Sequence, residues 1–292
     1  MLRSGLPLAR ILKASVCILF CCCSLRAVAG PRSEPTDTGV GAKYENTRMM
    51  LRNFYCGHEL RFDATGNLVS GGKPGPWTVC RDIQVEKLHL SSGKLKITGH
   101  RVYLFYDSGV KLFRDILEIE SREFKKTKSY QEMMDGQRVS IEIKPVQQTD
   151  DAGIAALMSA VFYTSTEEFL QAVPKFWKSV VDPRPGVRPA SPSPANGVFH
   201  PGNGVSAPVA MYSPDPDYAE EARLARFKGV VVLTATLGPD GLVHRVKITR
   251  PLGMGLDEKA VAKVLNWKFR PATKDGKPVA VDVRVEVAFN LY

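Results

Sequence analysis

No stretch of this 292-residue chain is apolar over the roughly 20 residues that a bilayer-spanning helix needs. The longest candidate, Val16 to Leu25, is about half that length and is stopped by Arg26. A clustered basic segment is also missing. The net charge is +10 and the pI near 9.3, yet Lys and Arg are dispersed along the chain. Nucleic-acid recognition needs a basic stripe or patch, so no nucleic-acid partner is expected. The positive balance suits a protein working beside anionic membrane surfaces instead. Catalytic signatures are lacking too. There is no Gly-x-Ser-x-Gly elbow, and His58, His89, His100, His200 and His244 show no metal-ligand spacing. Gly253-Met254-Gly255 has no third glycine and no βαβ context for a dinucleotide loop, and Pro74 stands where a phosphate loop needs Ser or Thr. The expectation is no enzyme, no cofactor and no metal.

Cysteine is scarce outside the first thirty residues. Arg3, Arg10 and Lys13 precede the short apolar run, and Ala27-Val28-Ala29 follows it as an A-x-A site, so residues 1–29 read as a signal peptide cleaved after Ala29. An uncleaved inner-membrane anchor and a lipoprotein built on the Cys21-Cys22-Cys23 run are the alternatives. Cleavage removes Cys17, Cys21, Cys22 and Cys23 and leaves Cys56 and Cys80. In an exported protein such a pair reads as one disulfide, whose loop contributes on the order of 3 kcal/mol. The competing reading takes Cys56, His58, Glu59 and Cys80 as metal ligands.

What is present divides the remainder into parts. Residues 30–42 form a polar leader and residues 43–181 a β-rich domain ending in two helices. Leu60 to Asp63 leads into a turn at Ala64 to Asn67, and Trp77 to Val85 reads as a strand. Leu88, Leu90, Leu95, Ile97, Val102, Leu104 and Tyr106 alternate around Ser91-Ser92-Gly93 and Gly99, which predicts a meander turning at those glycines. Ile116, Leu117 and Ile119, then Val139 to Ile143, add strands on either side of a charged piece, Arg122 to Lys128. From Asp150-Asp151 the period changes: Ile154, Leu157, Met158, Val161 and Phe162 share a helical face behind two acids. Ser165 caps a second helix carrying Phe169, Leu170, Val173, Phe176, Trp177 and Val180, kinked at Pro174. Residues 182–213 are rich in Pro, Gly, Ser and Ala and read as an extended linker.

The final segment runs helix, strand, turn, strand, helix, strand. Pro216 to Arg223 starts a helix, and Val230 to Leu237 is a β-branched strand. Gly238-Pro239-Asp240-Gly241 reverses the chain into Leu242 to Arg250. Leu256-Asp257-Glu258-Lys259-Ala260 opens a helix with acids in its first turn and a stripe of Leu256, Ala260, Val261, Val264, Leu265 and Trp267. Phe269-Arg270-Pro271-Ala272 ends that helix. Val281, Val283, Val285, Val287 and Phe289 then alternate with Asp282, Arg284, Glu286, Ala288 and Asn290, the pattern of a half-buried strand.

The combination of Tyr218 with Glu221-Ala222-Arg223, Gly229 to Val232, Asp240-Gly241, Leu256-Asp257, Trp267 to Ala272, Asp275 to Pro278 and Phe289-Asn290-Leu291 resembles the TonB C-terminal domain family over residues 214–292. Ala219 departs from it, standing where the family commonly has Pro. The resemblance implies a small C-terminal domain with a three-stranded antiparallel sheet and two helices; with the β-rich N-terminal domain ending in two helices and the Pro-rich linker read from the residues, the expected fold class is α+β. The resemblance further implies a periplasmic protein-binding module that meets an outer-membrane transporter, or another envelope protein, by strand addition at the edge of its last strand. The partner-binding residues so implied are Val281, Val283, Arg284, Val285, Glu286 and Val287. Inner-membrane motor proteins join the partners if the N-terminus is an anchor and the protein an energy transducer. A scaffold holding lipid or polysaccharide in its N-terminal domain is the other reading.

Overall fold

The computed structural model describes residues 40–118, 122–147, 150–181 and 197–291. The segment read as a signal peptide and most of that read as a polar leader lie outside the described residues, as do residues 182–196 of the expected linker. Among the described residues no helix is long and apolar enough to cross a membrane.

The fold is α+β, with a β-rich N-terminal region. A seven-stranded sheet there runs, in spatial order, through Phe162–Tyr163, Arg48–Leu51, Asp82–Ser91, Lys94–Arg101, Arg138–Ile143, Glu59–Phe62 and Leu68–Ser70. All its pairings are antiparallel except that of Arg138–Ile143 with Glu59–Phe62. One face carries the inward residues of the alternating strands, among them Leu60, Phe62, Ile83, Val85, Leu95, Ile97, Ile141 and Ile143. The helix Asp151–Val161 closes that face with Ile154, Leu157, Met158 and Val161, the stripe expected from its period. Asp150 caps it by accepting from Gly153 N, and Ser165 caps Thr166–Ala172 by accepting from Glu168 N.

Several local expectations are corrected. Trp77–Cys80 is one helical turn behind Pro76 rather than a strand, and the strand begins at Asp82. Gly99 lies inside Lys94–Arg101 instead of at a turn; a Cβ there would stand 2.2 Å from the Gln84 carbonyl oxygen, so close strand approach demands the glycine. Leu112–Asp115 is the strand that pairs back on Leu104–Asp107, and Ile116–Glu118, expected as a strand, is a single helical turn; Ile119 lies outside the described residues. Next to the charged piece a helix, Lys128–Gln137, is capped by Thr127. Pro174 ends its helix, and Trp177 sits in the connection to the short helix Lys178–Val181.

Cys56 and Cys80 are joined by a disulfide with Cα atoms 5.1 Å apart, which rules out their use as metal ligands. His58 Nδ1 instead bonds the Arg138 carbonyl at 3.0 Å. The buried Arg101 donates to the carbonyls of Cys80 and Gly57, 3.0 and 2.8 Å away, and so clamps both arms of the crosslinked loop. Burial brings its guanidinium down to about 10.

The C-terminal sheet is built on three antiparallel strands, Val243–Arg250, Gly229–Leu237 and the terminal strand Lys277–Phe289, with the helix Leu256–Val264 on the inner face. Its core is continuous with part of the N-terminal region. One apolar cluster joins Trp77, Val102, Leu104, Phe105, Phe169 and Trp177 to Val231, Leu233, Ile248, Leu256, Val285 and Phe289. Trp177 packs edge-on against Trp77 with ring centroids 5.1 Å apart, and Phe105 against Phe227 at 5.8 Å.

Backbone bonds cross the same seam: Met254 N to Leu104 O at 2.7 Å, Tyr106 N to Leu252 O at 2.9 Å and Ile248 N to Phe176 O at 3.0 Å. Gly255 N donates to Thr78 Oγ1 at 3.0 Å. The glycines of Gly253-Met254-Gly255 thus have a structural purpose. Gly253 has φ of 93°, and a Cβ on it would lie 2.4 Å from Leu104 O.

At the centre of the seam Trp177 Nε1 donates to Glu258 Oε1 at 2.9 Å, while Glu258 Oε2 is buried without a partner. Burial pushes the Glu258 carboxyl up to about 7. The neighbouring Asp257 is raised in the same direction, by its own burial and by the Glu258 charge, against the pull of the Leu252 and Gly253 N–H groups that it accepts. A folded-state pKa above the unfolded value means that the folded chain holds the extra proton. Stability is therefore full below the ordinary Glu range near 4.5 and declines as pH rises through about 7. Denaturant titrations at pH 5 and pH 8 are expected to differ by about 2–3 kcal/mol, the more acidic sample being more stable, and Glu258→Gln should remove most of that difference. Separately, Cys56→Ser with Cys80→Ser opens a loop spanning a separation of 24 residues and is expected to cost about 3 kcal/mol in the same titration.

Candidate functional site

The terminal strand is long because it alternates without interruption. Val281, Val285, Val287 and Phe289 are buried, Val283 is half-buried against the same core, and Arg284, Glu286 and Ala288 face outward. On one side it pairs with Gly229–Leu237 from Val281 opposite Leu237 to Phe289 opposite Gly229. Its other side is only partly used. There the two-residue strand Val198–Phe199 lies parallel to it at Ala280 and Val281; ahead of that point Ala272–Lys274 returns against Lys277, Pro278 and Val279. From Asp282 to Phe289 no strand among the described residues pairs on that side.

A groove of about 530 Å³ runs beside this open stretch. Pro201, Ala207, Pro208, Ala210, Trp267 and Phe269 face Asp282 to Glu286 across it. Two of these walls are fixed by their own contacts. Trp267 Nε1 donates to the Pro214 carbonyl at 3.1 Å, and Lys268–Arg270 pairs with Val209–Tyr212. On the face that carries Asp282, Arg284 and Glu286, Thr236 Oγ1 donates to Asp282 Oδ1 at 2.5 Å and Arg245 Nε to Thr236 Oγ1 at 3.3 Å. On the outer face Arg284 Nη2 reaches Glu286 Oε1 at 2.6 Å.

Six residues were expected to meet a partner. Arg284 and Glu286 do present their side chains to solvent beside the groove, and Val283 is partly exposed there. Val281, Val285 and Val287 turn theirs into the core, so they offer only backbone groups to anything outside. Two groups of residues escaped the sequence reading: the walls Trp267 and Phe269, assigned there to a helix face and its end, and Pro201 to Ala210, assigned to the linker. The Pro and Gly content of residues 197–213 hid two strands, Val198–Phe199 and Val209–Tyr212. Their signal was the short apolar runs between the prolines.

The residues of the sequence motif hold this arrangement together. Tyr218 Oη donates to Phe227 O at 2.6 Å and its ring meets Phe289 edge-on at 5.6 Å, tying the helix Glu220–Leu224 to the terminal strand. Gly241, with φ of 77°, lets the hairpin turn touch the Phe269 backbone; a Cβ there would lie 2.0 Å from Phe269 O. Asp257 pins the loop ahead of its helix through Leu252 N and Gly253 N. Among the described residues no cluster of His, Cys, Asp and Glu gathers as for a metal ion.

No curated protein matches the chain. Residues 214–291 match the family model described as Gram-negative bacterial TonB protein C-terminal. The sheet and the motif contacts agree with that match, which supports a TonB-like protein-interaction module of the cell envelope over this part of the chain.

Proposed function

We propose that this protein is a periplasmic binding module that engages an outer-membrane transporter, or a related envelope protein, by taking an extended segment of the partner onto the edge of its terminal strand. The observation that carries this reading is the unpaired stretch from Asp282 to Phe289 beside the Trp267–Phe269 groove. An unpaired edge presents a row of N–H and C=O groups to which an extended peptide adds at little conformational cost to the host. The same edge already carries one strand, Val198–Phe199, which supports its competence to accept another.

In this reading backbone bonds give affinity, while Val283, Arg284, Glu286, Trp267 and Phe269 select the side chains that the added strand brings. Val281, Val285 and Val287 contribute through their backbone and hold the edge straight by core packing. A proline at Val285 would damage that core as well as the edge, so the informative positions are the outward ones. A photo-crosslinking residue at Arg284 or Glu286 of the full chain, expressed in a Gram-negative envelope, is expected to give adducts that mass spectrometry identifies as an outer-membrane transporter. The same residue at the exposed Lys259, on the helix Leu256–Val264, should give none. Equal adducts at all three positions, or none at the strand, would contradict strand addition.

A further inference from the structure

The edge of the terminal strand is shared between an open stretch and a strand of the chain itself, and the two are held very differently. Downstream of Pro201 the chain is well anchored. Gly202 and Val205 bond each other at 2.9 and 3.0 Å, Val205 is buried, Ser206 N donates to Thr273 O at 2.8 Å, and Thr273 N donates to Ser206 Oγ at 2.8 Å. Val209–Tyr212 then pairs with Lys268–Arg270.

Upstream of Pro201 the hold is slight. Val198 and Phe199 make only two register pairs, in parallel, with Ala280 and Val281; parallel pairing is the less stable kind. Both side chains are half-exposed; Phe199 rests against the margin of the apolar cluster, and Lys274 Nζ lies 4.6 Å from the centre of its ring. Pro201 has no N–H to continue a ladder, and from there the chain turns off into the groove wall.

From this contrast we infer that Val198–Phe199 is an intramolecular competitor for the partner site, one that reserves Ala280 and Val281 and limits an incoming strand to the stretch from Asp282 to Phe289. The inference rests on the strand-addition reading above and adds to it a determinant of length and register. An incoming strand on this side runs along the line that Val198–Phe199 already occupies. On reaching Asp282 it meets Phe199 and the turn at Pro201 end-on. A short strand fits between that barrier and the end of the sheet; a longer one gains its extra pairs only by displacing Val198–Phe199. Because these two residues precede the anchored collar, they can leave the edge without unravelling Ser206, Thr273 or the Val209–Tyr212 pairing.

The test uses two capped synthetic peptides of alternating Val and Thr, eight and ten residues long to match Asp282–Phe289 without and with Ala280 and Val281, N-methylated on alternate residues so that only one edge can pair. Binding to the full chain is read by fluorescence anisotropy. For the unaltered protein the two peptides should bind within about twofold of each other. In the double variant Val198→Gly with Phe199→Gly the longer peptide should gain roughly threefold to tenfold, the worth of two further cross-strand pairs, while the shorter one is unchanged. Circular dichroism checks the fold of the variant. If the double variant does not fold, Phe199→Ala supports the same comparison with a smaller gain. A longer peptide that already binds the unaltered chain several-fold better, or a ratio that the variants leave unchanged, overturns the inference while leaving strand addition standing. Failure of both peptides to bind any form of the protein overturns strand addition and the inference with it.

Discussion

Where the two halves of this chain meet, an indole N–H and a carboxylate share a dry seam. Trp177 reaches from the connection after Thr166–Ala172 and donates to Glu258 in the first turn of Leu256–Val264. Neither side chain is easily satisfied elsewhere. Trp177 is fully buried and wedged against Trp77, Phe113 and Phe176, while the second oxygen of Glu258 has no partner. Leaving either group unpaired in such surroundings costs about 1–3 kcal/mol, so the bond fixes how the helix sits against the aromatic cluster. The backbone bonds from Leu104, Tyr106, Phe176 and Ile248, and the close approach at Gly253, all depend on that placement.

The seam determines which surface the C-terminal domain has left to offer. Its inner face is closed by its own helices and by the N-terminal aromatic residues, all in one cluster. Part of the terminal strand's other side is closed by Val198–Phe199. What remains is the stretch from Asp282 to Phe289 with a groove alongside, and the binding reading follows from that geometry. The Asp82 carboxylate between Arg48 and Arg81, the disulfide and the Arg101 clamp stiffen the opposite end, where Arg81 also lies over the rings of Trp77 and Phe169. These devices keep the aromatic cluster in position to receive the C-terminal helix.

Much of this was legible in the amino-acid sequence wherever a short-range rule applied. The alternation from Val281 to Phe289 predicted the terminal strand, the helical stripe from Ile154 to Val161 a core helix, and Asp150 and Ser165 helix starts, because period and capping act over a few residues. The disulfide followed from there being just two cysteines after residue 29. What stayed hidden depends on contacts distant in sequence. Gly99 looks like a turn residue until the Gln84 backbone is seen beside it. Gly253 and Gly255 look like a fragment of a dinucleotide-binding loop until Leu104 and Thr78 are found against them. For the site itself, the strand was evident, but which side of it was open was not. That depends on where residues 197–212 return, and their prolines and glycines outweighed the few apolar residues that pair.

The central claim is that the N-terminal region and the TonB-like domain share one core and unfold together. Differential scanning calorimetry of the full chain tests it most directly. The shared cluster around Trp177 predicts a single transition whose calorimetric and van't Hoff enthalpies agree. Two resolved transitions, each with its own cooperative unit, would contradict the account by showing that the seam does not join the two parts.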